Sequence, residues 1–303
     1  MSIDRVFVIG LPDAFRGAPL EAELGRAGIP SLRCDGVCIE AESMDRLEEF
    51  DAESAMLLLR RRMSASELGC ALAHQRVYAR VIAEGLKSAI VFEDDARLLR
   101  ALDLPALADL LAVEHPRIIA LHAPPGFAVV DASRSHTGGA TELAFTAIVP
   151  PTTTTAYALN RSAAEILACR GRPISHVADW PIAAETHCEF LVLGEPVAVP
   201  DDTAGSQVER PTAHVGRGRH AVSWLRRVLH VDWVRHRHVY GDYRTFLMHE
   251  FIRHPVYAWA QRRSRSRAHH APLAASSMLT WPLHVLRAPH AAPAAPARIG
   301  TNP

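Results

Sequence analysis

The sequence predicts an α/β fold, with a mostly parallel central sheet flanked by helices and a basic helical extension behind it. Three observations carry that reading. Short apolar, β-branched runs alternate with stretches of helical apolar spacing, the order expected of strands joined by crossover helices. One of those helical stretches opens on a Ser-x-x-Glu capping box. Charge, finally, is split along the chain. Residues 1–215 hold 19 basic and 30 acidic side chains, whereas residues 216–303 hold 14 arginines against 3 acids. An acidic body therefore precedes a basic tail.

The elements follow in order. "RVFVIG" (5–10) reads as a buried strand, and "APLEAELGRAGI" after it as a helix with Pro19 near its start. "SLRCDGV" (31–37) is a second strand ending in an Asp-Gly turn. The clearest helix is "MSASELGCALAHQRVYARVIAEGL", where Ser64 and Glu67 form the capping box and Leu68, Leu72, Val77, Val81 and Ile82 share one broad face. "SAIVFEDD" is the strand it feeds. A helix around 104–113, strands at 117–122 and 153–159, and a helix in "NRSAAEILACRG" follow. For that last helix Ser162 and Glu165 suggest a second capping box and Gly171 a stop. "WPIAAETH", "EFLVLG" and "PVAVP" complete a body of about 1–215. Residues 216–267 carry aliphatic and aromatic side chains at helical spacing among Arg and His, and the Ala/Pro-rich 268–303 has the composition of a disordered end.

Composition excludes several classes. No run reaches the ~18 apolar residues of a spanning helix, and the N-terminal run is too short for a signal peptide. Five cysteines without a Cys-x-x-Cys pair fit a reducing compartment, so a cytoplasmic protein is expected. The absence of a Rossmann glycine motif and of a P-loop argues against a dehydrogenase or an NTPase.

Glu93, Asp94 and Asp95 close the strand "AIVF" at the end where open α/β sheets bind ligands. Strand alternation predicts Glu93 and Asp95 on one side and Asp94 on the other. Two converging carboxylates suit a hard divalent cation that bridges a nucleotide's phosphates and stabilises a departing diphosphate. A solvated turn with capping acids is the competing reading.

The surroundings of this triplet resemble glycosyltransferase family 25, which includes lipooligosaccharide galactosyltransferases. Glu67, Gly69, Cys70 and His74 match the family's helical segment, and Glu93-Asp94-Asp95 its acidic strand end. "RVFVIGLPDAFR" is similar to the opening strand and Arg loop, and Tyr157, Ala164, Pro173 and Asp179 to a later block. The resemblance implies a GT-A-like transferase that takes a UDP-hexose donor, UDP-galactose by preference, and a lipid-linked saccharide of lipopolysaccharide as acceptor.

It further implies Mn²⁺ or Mg²⁺ on Asp95 with Glu93, and Asp94 turned away or toward the sugar. The nucleotide is expected against Ile9, Gly10, Leu11, Arg16, Asp35, His74 and Tyr157. Asp179 is either the base that deprotonates the acceptor or a helix N-cap. His74 orients the acids or is a satisfied core residue, Cys70 is packing, and Asp35 belongs to a base-contacting loop or a plain turn. The tail lies on an anionic membrane, at the inner face of the cytoplasmic membrane, or packs on the body; nucleic acid is not the expected partner. A nucleotide-sugar-binding protein without turnover, or a nucleic-acid-associated protein acting through its Arg-rich tail, is the alternative function.

Overall fold

The computed structural model describes residues 2–59, 61–123, 129–139, 142–151, 153–178, 180–181 and 184–201. The segments 216–267 and 268–303, and the boundary at 215, lie outside the described residues.

Among the described residues, ten strands and six α-helices occur in the order β1 (Arg5–Gly10), α1 (Ala18–Arg26), β2 (Ser31–Asp35), α2 (Ala52–Leu59), α3 (Ala65–Ala83), β3 (Ser88–Glu93), β4 (Ala96–Leu98), α4 (Leu104–Leu111), β5 (Arg117–Ala120), β6 (Val129–Gly138), β7 (Glu142–Val149), β8 (Ala156–Asn160), α5 (Arg161–Arg170), α6 (Ala184–His187), β9 (Glu189–Leu193) and β10 (Ala198–Pro200). Eight strands form one sheet in the order β2-β1-β3-β8-β5-β9-β7-β6, and β4 pairs with β10 beside it.

The sheet is mixed. β1 is parallel to β2 and β3, and β5 to β9, but β8 is antiparallel to both β3 and β5, and β7 to β9 and β6. Six strands therefore share a direction and two oppose it. The apolar run of β8 carries no mark of direction, which is why composition alone could not reverse it.

Alternation along the central strands divides the core in two. Phe7, Ile9, Val91, Tyr157, Leu159, Ile118 and Phe190 face the layer of α3 and α5, where Val77, Val81, Ala163 and Leu167 are buried. Val6, Val8, Ile90, Phe92, Ala158, Ile119 and Leu191 face the opposite layer, built by Leu20 and Leu24 of α1, Leu107 and Leu110 of α4, and the β4–β10 ribbon. Strands covered on both sides read as continuous apolar runs, and they do here. A small third cluster (Met44, Ala55, Met63, Leu68, Ala71, Ile174) backs α3 from outside.

Caps set the helix limits. Ser64 accepts from the Glu67 amide while the Glu67 side chain accepts from the Ser64 amide, so the capping box forms as expected. The second expected box does not. Asn160, at the end of β8, caps α5, and the Ser162 hydroxyl donates to the Glu114 carbonyl instead. Asn160 is the better cap because strand β8 fixes it where its Oδ1 accepts from the amides of both Ala163 and Arg117. Its Nδ2 donates to the carbonyls of Val113 and His115, so every polar atom of this buried side chain is used. The β6–β7 hairpin, α2 and the β4–β10 pair have no counterpart in the sequence expectations.

Candidate functional site

Strands β2, β1 and β3 lie side by side and parallel, so their carboxyl ends open on one rim. A cavity of about 430 Å³ sits there, within the size range of small-molecule sites. The strand ends supply Ile9, Gly10, Leu11, Gly36, Glu93, Asp94 and Asp95; the loop after β2 supplies Val37, Cys38, Ile39 and Ala41; the first turns of α3 supply Ala65, Ser66, Gly69, Cys70 and Ala73.

Glycine lets these walls approach. A Cβ at Gly69 would overlap the Val37 carbonyl oxygen, so the loop can lie directly on α3 only because that position is bare. α3 begins at this rim, so its positive end faces the cavity.

The three acids are held differently. β3 ends at Glu93, and Asp94 and Asp95 form the turn into β4, so strand alternation does not continue through them. All three line the cavity, so the opposite placement of Asp94 predicted by strand alternation does not hold, and of the two expected positions for Asp94 it is not the one turned away. Asp94 is clamped by Arg16, whose backbone amide donates to Oδ2 at 3.0 Å and whose guanidinium donates to Oδ1 at 2.9 Å. The same guanidinium lies 3.6 Å from Asp95 Oδ2.

Glu93 accepts from the Thr154 hydroxyl at 2.6 Å and lies 3.3 Å from His74 Nε2. Burial pushes the Glu93 carboxyl up, but the hydrogen bonds from His74 and Thr154 and the charge of His74 outweigh it, leaving the group below the usual range and anionic. Asp95 goes the other way. Burial, then the charge of Glu93, push it up to about 6 against the pull of Arg16. Its Oδ1 is buried and accepts no hydrogen bond among the described residues. Such an atom is unfavourable unless a ligand completes it. The hard oxygen donors of Glu93 and Asp95, one with an uncompensated lone pair, fit a divalent cation of the Mg²⁺ or Mn²⁺ type.

Behind Glu93 runs a buried aromatic chain. His74 Nδ1 is 2.8 Å from the Tyr157 hydroxyl, and Tyr157 donates to Tyr78. Trp180 stands edge-on to both Tyr157 and Phe190.

Residues 3–109 match the profile of glycosyltransferase family 25 (LPS biosynthesis protein). The family 25 match runs from just before β1 through most of α4 and contains all three acids, Arg16, Cys70 and His74. It supports a glycosyltransferase of LPS biosynthesis. Tyr157 and Asp179 lie beyond the matched segment. No curated protein matches the chain.

Of the residues expected at the site, Ile9, Gly10, Leu11, Arg16, Glu93, Asp94 and Asp95 line the cavity. His74 and Tyr157 stand behind it, buried. Asp35 is exposed at the end of β2, and it is its neighbour Gly36 that lines the cavity. Asp179 lies outside the described residues. Sequence reasoning missed Thr154 and the wall formed by Val37–Ile39 and Ser66, and Cys70, expected as packing, lines the cavity. The run "TTTT" and the Gly69 spacing were the available signals, but neither says which strand end it will meet. Among the described residues no helix is long and apolar enough to cross a membrane.

Proposed function

We propose that this chain transfers a hexose, galactose by preference, from a UDP-sugar to a lipid-linked saccharide of lipopolysaccharide or a related surface glycan. One observation carries the reading: three carboxylates at a β-strand end line a cavity inside the family 25 match, and one of them keeps a buried oxygen that accepts no hydrogen bond among the described residues.

Glu93 and Asp95 would hold Mn²⁺ or Mg²⁺. When bound, the cation supplies charge neutralisation for the departing diphosphate. The chain's own residues do the rest. Arg16 keeps Asp94 in place and leaves part of its positive charge at the mouth of the cavity. His74 and Thr154 hold Glu93 anionic and fixed in direction. The first turn of α3 presents a positive end to an incoming phosphate. The apolar wall Leu11, Val37 and Ile39 offers a face for a base or sugar ring and excludes water beside it. Removal of the acceptor proton falls to Asp179 on the family resemblance, and the basic segment 216–267 to the anionic surface that carries the acceptor lipid.

The test is a donor screen. Purified full-length protein is offered a panel of nucleotide sugars with and without EDTA, reading released UDP. Release from one UDP-hexose, lost with EDTA and in Asp95→Ala with the fold intact, is expected. Release at near-normal rate in Asp95→Ala would refute the assignment.

A further inference from the structure

Cys70, His74 and Glu93 each offer one metal-ligating atom, and the three atoms lie within 4.8 Å of one another. We propose that they form a second cation site, for a borderline divalent metal of the Zn²⁺ type, distinct in chemistry from the hard-cation pair Glu93–Asp95. It goes beyond the transferase reading and stands if that reading fails.

Cys70 and His74 are four residues apart on α3, so both project from the same face of the helix. That face meets the end of β3, where Glu93 completes the set. The donors are one sulfur, one imidazole nitrogen and one carboxylate oxygen. A thiolate and an imidazole select Zn²⁺-like ions over Mg²⁺ or Mn²⁺, and three protein ligands leave the fourth tetrahedral position facing the cavity.

The distances agree. Zn–N and Zn–O bonds of about 2.0–2.2 Å at tetrahedral angles put the two ligand atoms about 3.4 Å apart. His74 Nε2 and Glu93 Oε1 stand 3.3 Å apart, long for a charged hydrogen bond and right for the edge of a coordination tetrahedron. The sulfur needs to close by at most about 1.2 Å, since a tetrahedral S···N edge is about 3.6 Å and the three atoms lie within 4.8 Å.

The histidine is also prepared from behind. Tyr157 donates its hydroxyl proton to Tyr78, so its oxygen is left to accept from His74 Nδ1–H at 2.8 Å. That arrangement fixes the ring and its tautomer, as the outer partners of metal-bound histidines do, and aims Nε2 at Glu93. His74 itself is 1% exposed, so the ring cannot swing to water. An arriving cation takes the place of the direct His74–Glu93 contact and displaces the Cys70 thiol proton. Because Glu93 belongs to both donor sets, occupation by Zn²⁺ and by the hard cation is mutually exclusive.

The experiment uses the full chain, stripped of metal, titrated with Co²⁺ and followed by absorption, then with Zn²⁺ as competitor. Thiolate coordination gives a sulfur-to-cobalt charge-transfer band, which the tail histidines cannot produce. One equivalent per chain with that band, displaced by Zn²⁺ and accompanied by proton release, is expected. Cys70→Ser should remove the band, and Tyr157→Phe should weaken binding about tenfold without removing it. Asp95→Ala should leave the band untouched while losing Mn²⁺-dependent UDP binding, which separates this site from the hard-cation site. Circular dichroism shows whether each variant is folded. The proposal is overturned if the wild type gives no charge-transfer band, if the band survives in Cys70→Ser, or if Asp95→Ala abolishes it.

Discussion

Gly10→Ala is the substitution through which the packing of the acidic cluster is most directly tested. A Cβ at this position would stand 2.5 Å from the Phe15 ring, 2.7 Å from Asp94 Oδ2 and 2.8 Å from Asp94 Cβ. Ordinary contact needs about 3.5 Å, so ring and carboxylate must each retreat by roughly 0.7–1 Å. Neither is free to. The Arg33 guanidinium covers the Phe15 ring at 3.5 Å, and Asp94 is gripped by both the amide and the guanidinium of Arg16. Moving Asp94 that far stretches its 3.0 Å bond to the Arg16 amide beyond hydrogen-bonding range.

Overpacking together with loss of one charge-assisted hydrogen bond costs about 2–4 kcal/mol. That corresponds to a fall in Tm of roughly 4–12 °C, read by calorimetry. Affinity for UDP with Mn²⁺ should fall with it, because Asp94 and Arg16 line the cavity. Gly25→Ala is the control: nothing lies within 4 Å of a Cβ there, it sits inside α1, and the change should be neutral or stabilising by up to about 1 kcal/mol. If Gly10→Ala melts with the wild type and binds UDP equally well, the described packing around Asp94 is wrong.

Three further outcomes are expected. Asn160→Ala removes the α5 cap and strands the buried Arg117 amide, and should lower stability by about 2–4 kcal/mol in urea melts; Asn160→Asp, which keeps both acceptor contacts, should fall in between. Burial raises the Glu189 carboxyl, but hydrogen bonds from His115 and Arg117 outweigh it and hold the group below the usual range. Its contribution is therefore present above the ordinary Glu range and lost as pH falls through the lower folded value; the stability gap to Glu189→Gln should hold from neutral pH to about 5 and close in stronger acid, and a gap unchanged there would contradict it. Asp95 is pushed up to about 6 by burial and then by Glu93, so in the metal-free protein it costs stability that accrues as pH rises from the ordinary Asp range of about 4 to about 6; in EDTA Asp95→Asn should melt higher than wild type above about 6 and no higher in acid below the ordinary Asp range.

What the sequence disclosed follows from how locally each feature is encoded. The apolar runs of β1 and β3 and the Ser64–Glu67 box depend on neighbours a few residues away, and they appear in the structure where they were expected. The cluster Glu93–Asp95 was legible because three adjacent acids behind a strand are conspicuous on their own. The clamp by Arg16 was not, since it joins positions 78 residues apart. Nor was Thr154, one of four threonines with no local mark to distinguish it. β4 is three residues long and owes its existence to β10, a partner a hundred or more positions away. The rival caps Ser162 and Asn160 have nearly equal intrinsic preference, and the choice fell to the residue that β8 had already immobilised.

The reversed course of β8 gives its two ends different surroundings. Had it run with its neighbours, Asn160 would stand at the rim and the threonines at the far side of the molecule. Running backwards, this five-residue strand brings its entrance to the place where β3 finishes, and its exit to the hinge of α5. One end thus meets the acids of the cavity and the other caps α5, with Tyr157 midway between. Lengthening or shortening the chain at 153–155 should therefore retune the acids without loosening the scaffold. The same edit beside Asn160 should do the reverse.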